Sequence, residues 1–215
     1  MVNLESYERI KAESAKYGAE IIAVSKKKPE EDILALMKAG QKMFGENYVQ
    51  ELLQKQKNIE GPEWHFIGHL QSNKVKQIIP FVSMIHSVDS IKLLKEINSQ
   101  AGAINRSIDC LIEIHIAKEE TKTGLTIDEA KNLLDGKELS TFKNVSIRGL
   151  MSMATDTEDN DIIRNEFKSL RNLFEIYKSD SFAELSIGMT SDYRIALEEG
   201  STMIRIGSAI FGTRI

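Results

Sequence analysis

The sequence of 215 residues has one cysteine, three prolines, and no apolar stretch that approaches membrane-spanning length. With Cys110 alone and inside an apolar run, intrachain disulfides are excluded, and the expected compartment is reducing, the cytoplasm. Proline occurs only at Pro29, Pro62 and Pro80, and no Gly/Ser/Pro-rich linker divides the chain. One domain over 1–215 is therefore expected. The start, Met1-Val2-Asn3-Leu4-Glu5, lacks the basic residues and apolar core of a secretion signal. A net charge of −4, with only the short Lys26-Lys27-Lys28 run on the basic side, argues against nucleic acid or an anionic membrane as partner. Hydrophobic content of 41% and charged content of 28% are ordinary for a globular chain.

What is present is a regular alternation. Short apolar runs at 21–25, 43–46, 64–68, 83–88, 109–116, 145–152, 184–188 and 202–207 read as strands. Amphipathic segments separate them. Ile163, Phe167, Leu170, Phe174 and Tyr177 mark one helical face. Helices over 30–39 and 192–199 stop at Gly40 and Gly200, the position of a left-handed C-cap, and Thr190 or Ser191 is expected to cap the second. A helix over 3–16 precedes the first strand. Eight strands alternating with helices predict a closed (β/α)8 TIM barrel with an extra N-terminal helix; a doubly wound open sheet is the alternative.

In such a barrel the chemistry lies at the C-terminal ends of the strands. Lys26 closes the first apolar run, on the same strand face as Ile22 and Val24, where partial desolvation suits an amine for Schiff-base chemistry. Taken alone, the 26–28 triplet is also an ordinary solvated charge run. Strands 7 and 8 end in Leu185-Ser186-Ile187-Gly188-Met189-Thr190-Ser191 and Arg205-Ile206-Gly207-Ser208, which offer hydroxyls and amides at the usual phosphate-binding face. The glycines also fit plain tight turns. Arg205, inside an apolar strand, requires partners: either an ion pair with Glu46 or Glu113, or a ligand. Closure brings strand 8 beside strand 1 and Arg205 near Lys26.

Ala23-Val24-Ser25-Lys26, Phe44-Gly45-Glu46-Asn47-Tyr48-Val49-Gln50-Glu51, Trp64-His65-Phe66-Ile67-Gly68, Leu70-Gln71-Ser72-Asn73-Lys74, Arg148-Gly149-Leu150-Met151 and Gly200-Ser201-Thr202-Met203-Ile204-Arg205-Ile206-Gly207 occur in this order. Together they resemble the pyridoxal 5′-phosphate (PLP) homeostasis protein family, related to the N-terminal barrel of alanine racemases. The resemblance implies PLP as an internal aldimine on Lys26 and Arg205 at the pyridine nitrogen. It also implies Ser186, Gly207 and Ser208 on the phosphate, and Asn47 near the cofactor. Lys27 stands where many relatives carry a small polar residue.

An arginine at the ring nitrogen leaves that nitrogen unprotonated, a poorer electron sink. Alanine racemases add a second base from a C-terminal β domain. Here the sequence ends at Ile215, shortly after strand 8, so that domain is expected to be absent. The expectation is a PLP-binding protein of vitamin B6 homeostasis without established catalytic turnover, racemisation being weak or nil. It works as a monomer, in contact with PLP and transiently with PLP-dependent apo-enzymes. The competing readings are a small PLP-dependent racemase and a Schiff-base aldolase using Glu46 as proton relay. His65 and His69 lie four apart, but Gly68 breaks the helical face a metal pair needs. His86 and His115 read as interior or loop residues, Met151 and Met153 as barrel packing, and Glu119, Glu120 and Lys122 as a solvated loop.

Overall fold

A computed structural model describes residues 2–119 and 121–212. Eight parallel strands pair in chain order and close, the first against the last. They are β1 (Glu20–Val24), β2 (Met43–Glu46), β3 (Glu63–Phe66), β4 (Met84–Val88), β5 (Ile108–Glu113), β6 (Val145–Met151), β7 (Glu184–Ser186) and β8 (Met203–Ile206). The helices are α1 (Leu4–Ala15), α2 (Glu30–Lys38), α3 (Val49–Asn58), α4 (Val75–Ile78), α5 (Ile91–Gly102), α6 (Ile127–Leu134), α7 (Asn160–Tyr177), α8 (Tyr193–Glu198) and α9 (Ser208–Phe211). The closed barrel is the predicted fold, and the open sheet is ruled out. Glu120 and Ile215 lie outside the described residues.

Period-2 alternation sorts each strand into two layers. Ile22, Met84, Leu111, Met151 and Met203 fill the barrel interior. Ile21 and Ala23, one residue out of phase with Ile22, join the larger core between strands and helices. Ile163, Phe167, Leu170 and Phe174 bury the predicted face of α7 in that layer. Gly40 and Gly200 have φ of 92° and 87° just past α2 and α8, as the left-handed caps require.

The cap of α8 differs from expectation. Asp192 is the N-cap residue, and its Oδ1 accepts from the Met189 amide at 2.5 Å. The carboxylate closes the loop back onto Met189 and makes no capping bond to the helix, and Thr190 and Ser191 line the barrel mouth instead.

Candidate functional site

The C-terminal ends of β1, β2, β7 and β8 surround a cavity of about 360 Å³, within the range of small-molecule sites. Lys26 and Lys28 from the β1–α2 loop, Asn47 after β2, Met189, Thr190 and Ser191 after β7, and Arg205, Gly207 and Ser208 from β8 onward line it. Register explains the meeting of the ends: Ile22 pairs with Arg205 across the closing seam. Val24 and Lys26 therefore continue upward on the face where Arg205 points inward.

Arg205 is 4% exposed, and among the described residues its hydrogen bonds go to no carboxylate. One terminal nitrogen donates to Ser186 O at 2.7 Å and Ser186 Oγ at 2.9 Å; the other donates to Ser152 O at 2.8 Å. Neither Glu46 nor Glu113 pairs with it, so the ion-pair reading does not hold. Burial holds the guanidinium down at about 10, with Asp192 and Glu113 pulling it back upward. Of the five N–H groups of an arginine, three are used here, which leaves donors for a ligand.

The structure sets Ser186 below the cavity rather than in its lining. Its hydroxyl is fully buried between Arg205 and His86 Nδ1, 3.1 Å away. His86 Nε2 in turn lies 2.8 Å from His65 Nδ1. Burial holds His65 at about 4 and His86 well below the usual imidazole range, so both rings are neutral near pH 7. Ser186 thus supports Arg205 from beneath, while Gly207, Ser208, Thr190 and Ser191 are the groups that reach the cavity. The Gly207 amide donates to Thr190 Oγ1 at 3.3 Å, which ties the two loops together. Asn47 Oδ1 is buried and has no hydrogen-bond partner in the structure.

Other residues fall elsewhere. Glu46 is fully buried outside the cavity lining, bonded to Ser25 Oγ at 2.6 Å and to Lys55 Nζ at 2.7 Å. The cavity that Lys26 lines does not include Glu46, where an aldolase relay would be needed. His69 pairs with Asp89 at 3.2 Å, His115 Nε2 meets Glu119 O at 3.0 Å, and no metal-binding group of side chains occurs among the described residues. Met151 packs in the barrel as expected, but Met153, beyond the end of β6, lines the cavity instead. Lys122 and Glu119 pair at 3.0 Å, and Lys122 also donates to Ala154 O, so this loop is tied down rather than merely solvated.

Sequence reasoning missed Lys28 and Lys55. Lys28 Nζ donates to Phe211 O and Gly212 O at 2.9 and 3.0 Å, across the seam. Lys55 shares the buried face of α3 with Leu52, three residues earlier. A lysine on an apolar helical stripe was the available signal.

The description "alanine racemase, N-terminal domain" fits residues 4–215. The pyridoxal phosphate homeostasis protein of Pasteurella multocida is 40% identical over 203 residues, 90% of this chain and 86% of that one. The chain belongs to the pyridoxal phosphate homeostasis protein family. Its Escherichia coli member is 35% identical over 204 residues, 90% of this chain and 85% of that one. Among solved structures, PipY of Synechococcus elongatus with PLP bound superposes with a TM-score of 0.84 at 32% identity, covering 96% of this chain and 100% of PipY. An alanine racemase of Clostridium difficile, 12% identical with a TM-score of 0.72, shares the fold, and this chain covers 56% of it.

Proposed function

We propose that the chain is a single barrel domain that binds pyridoxal 5′-phosphate covalently through the Lys26 amine and serves vitamin B6 homeostasis without catalytic turnover. The carrying observation is the donor set of one cavity. It combines an amine (Lys26), a buried guanidinium with donors to spare (Arg205), and a cluster of hydroxyls and an amide (Thr190, Ser191, Gly207, Ser208). These fit the cofactor's aldehyde, ring nitrogen and phosphate in turn. Family membership and the PLP-bound structure of PipY support the same assignment.

When bound, the cofactor supplies an aldehyde that condenses with amines and a ring that withdraws electrons. The protein supplies position. Arg205 holds a hydrogen-bond donor at the cavity floor and keeps its own proton, so it offers a ring nitrogen contact without acid catalysis. The hydroxyl and amide cluster binds an anion without a full positive charge. The described lining contains no carboxylate, imidazole or phenol, and the second amine, Lys28, is engaged with Phe211 O and Gly212 O. A racemase needs a base on each face of its substrate. This lining therefore favours a carrier.

No helix among the described residues is long and apolar enough to cross a membrane. The fully buried Cys110 fits a reducing cytoplasm, and the exposed large apolar residues, Leu4, Tyr17, Leu34, Tyr48, Ile104 and Ile176, are scattered over separate elements, as suits a monomer. Transient contact with PLP-dependent apo-enzymes completes the reading.

The test is the visible spectrum of the protein with added PLP, before and after borohydride, beside Lys26→Ala. A yellow band that borohydride bleaches in wild type and that the variant lacks is the expected result. No band in wild type, or the same band in the variant, overturns the assignment. Racemisation of L-alanine at enzymatic rates overturns the carrier role.

A further inference from the structure

Lys26 sits in a tight turn. The Lys28 amide donates to Ser25 O at 3.0 Å, which makes Lys26 and Lys27 the two central residues. Lys27 has φ of 57°, a left-handed conformation that turns normally give to glycine or asparagine. A lysine does not hold this conformation by preference. Something outside the turn must fix it.

Behind the turn lies a buried ion cluster. Lys55 Nζ, on a residue only 4% exposed, uses its three donors on Ser25 O at 2.7 Å, Glu46 Oε1 at 2.7 Å and Glu51 Oε1 at 2.6 Å. Glu51 Oε1 also accepts from the Lys27 amide at 2.5 Å. Ser25 O belongs to the peptide unit before Lys26, and the Lys27 amide to the one after it. One ammonium and one carboxylate, themselves paired, therefore grip both peptide planes of Lys26. Since those planes carry its φ and ψ, the grip sets the direction in which the Lys26 side chain leaves the strand. Glu46, bonded to Lys55 and Ser25 Oγ, anchors the cluster to the end of β2.

We propose that Lys55, Glu46 and Glu51 are positioning residues that clamp the backbone on either side of Lys26 and so present its amine to the cavity. The ligand part of this inference rests on the proposed PLP site; the backbone part does not.

Glu51 is the residue to change, because its side chain is 22% exposed and its loss leaves Lys55 paired with Glu46. Three variants are compared with wild type: Glu51→Ala, Glu51→Gln, and Lys27→Gly combined with Glu51→Ala. PLP affinity is read from the absorption band, and exchange of the Lys27 amide is read by NMR on the ligand-free protein. Glu51→Ala is expected to weaken PLP binding about tenfold, the scale of one left-handed lysine released, and to speed Lys27 amide exchange. Glu51→Gln, which keeps the acceptor oxygen, stays within about threefold of wild type, less than the loss of an acceptor costs. Glycine at 27 adopts the turn unaided, so the double variant recovers to within about twofold. A purely structural role for the cluster would not be relieved by that glycine. Unchanged affinity in Glu51→Ala, or a loss that glycine does not repair, overturns the proposal. If wild type shows no PLP band, the proposed function fails, and the amide alone decides the clamp: equal exchange in wild type and Glu51→Ala refutes it.

Discussion

Replacing Lys55 with methionine leaves an unbranched apolar side chain one atom shorter and removes the ammonium with its three donors. Glu46, with no solvent exposure, then retains Ser25 Oγ as its single donor, and Glu51 stands nearby with no cation between them. Removing one partner of a buried ion pair costs about 3–5 kcal/mol, since the remaining charge is left uncompensated. At roughly 2–4 °C per kcal/mol for a chain of this size, the melting temperature should fall on the order of 10 °C. The deficit must also depend on pH. Burial already raises the Glu46 carboxyl above its usual range, and the Lys55 ammonium is the main influence opposing that rise. Without it the folded-state value rises further above the unfolded one. A carboxyl shifted in this direction costs stability when the pH lies above both values and costs nothing once it is protonated in both states. The Lys55→Met deficit is therefore largest at pH 8 and shrinks as the pH falls toward 5. Adding Glu46→Gln removes the orphaned charge and should recover more than half of the loss. Thermal melts followed by far-UV circular dichroism at both pH values decide the matter. A melting temperature within 2 °C of wild type, a deficit equal at both pH values, or no recovery in the double variant refutes the reasoning.

Gly68→Ala would place a Cβ 2.7 Å from Asn47 Cα and closer still to Asn47 O, so the backbone after β2 must retreat. The expected outcome is a destabilisation of about 1–3 kcal/mol, the usual cost of overpacking, and a several-fold loss of PLP affinity in an absorbance titration; wild-type values for both contradict it. Glu113 is 2% exposed, with Oε2 lacking a partner, and burial raises its carboxyl. Stability is thus lost as pH rises through that raised range, and Glu113→Gln should melt progressively higher than wild type between pH 4.5 and 8. A difference that stays flat with pH would show that Glu113 does not titrate in this way. Burial also pushes the Cys110 thiol up and hides it completely. A disulfide reagent should read no thiol in the native protein and one after guanidinium, and fast native labelling would disprove the packing.

The barrel was legible because its strands are buried on both faces and so appear as short apolar runs between amphipathic helices. Lys26 and Arg205 were legible as charges at the end of, or inside, such runs. What stayed hidden depended on depth and on partners distant in sequence. A serine at the end of β7 looks the same in sequence whether it faces the mouth or the floor. Ser186 faces the floor because β7 is only three residues long and Arg205 reaches beneath the loop that follows. Thr190 and Ser191 were assigned to a cap because the competing Asp192 is a cap residue of equal quality one position on. The grip of Lys55 on Ser25 spans thirty residues and exists only once α3 packs against the ends of β1 and β2.

The seam where the barrel closes is also the place where the site forms. Lys26 follows the first strand and Arg205 lies in the last, and the backbone bonds that join them are those between β1 and β8. Every other strand pairing can form while the cavity still lacks one wall. Joining the two ends closes the longest loop available to the barrel, the costliest contact in chain entropy and the slowest kind to establish. A chain still emerging during synthesis, or one trapped as an open sheet, has the amine but not the opposite wall. A ligand that touches both walls binds only the joined barrel, so by mass action it favours the closed seam over the open one.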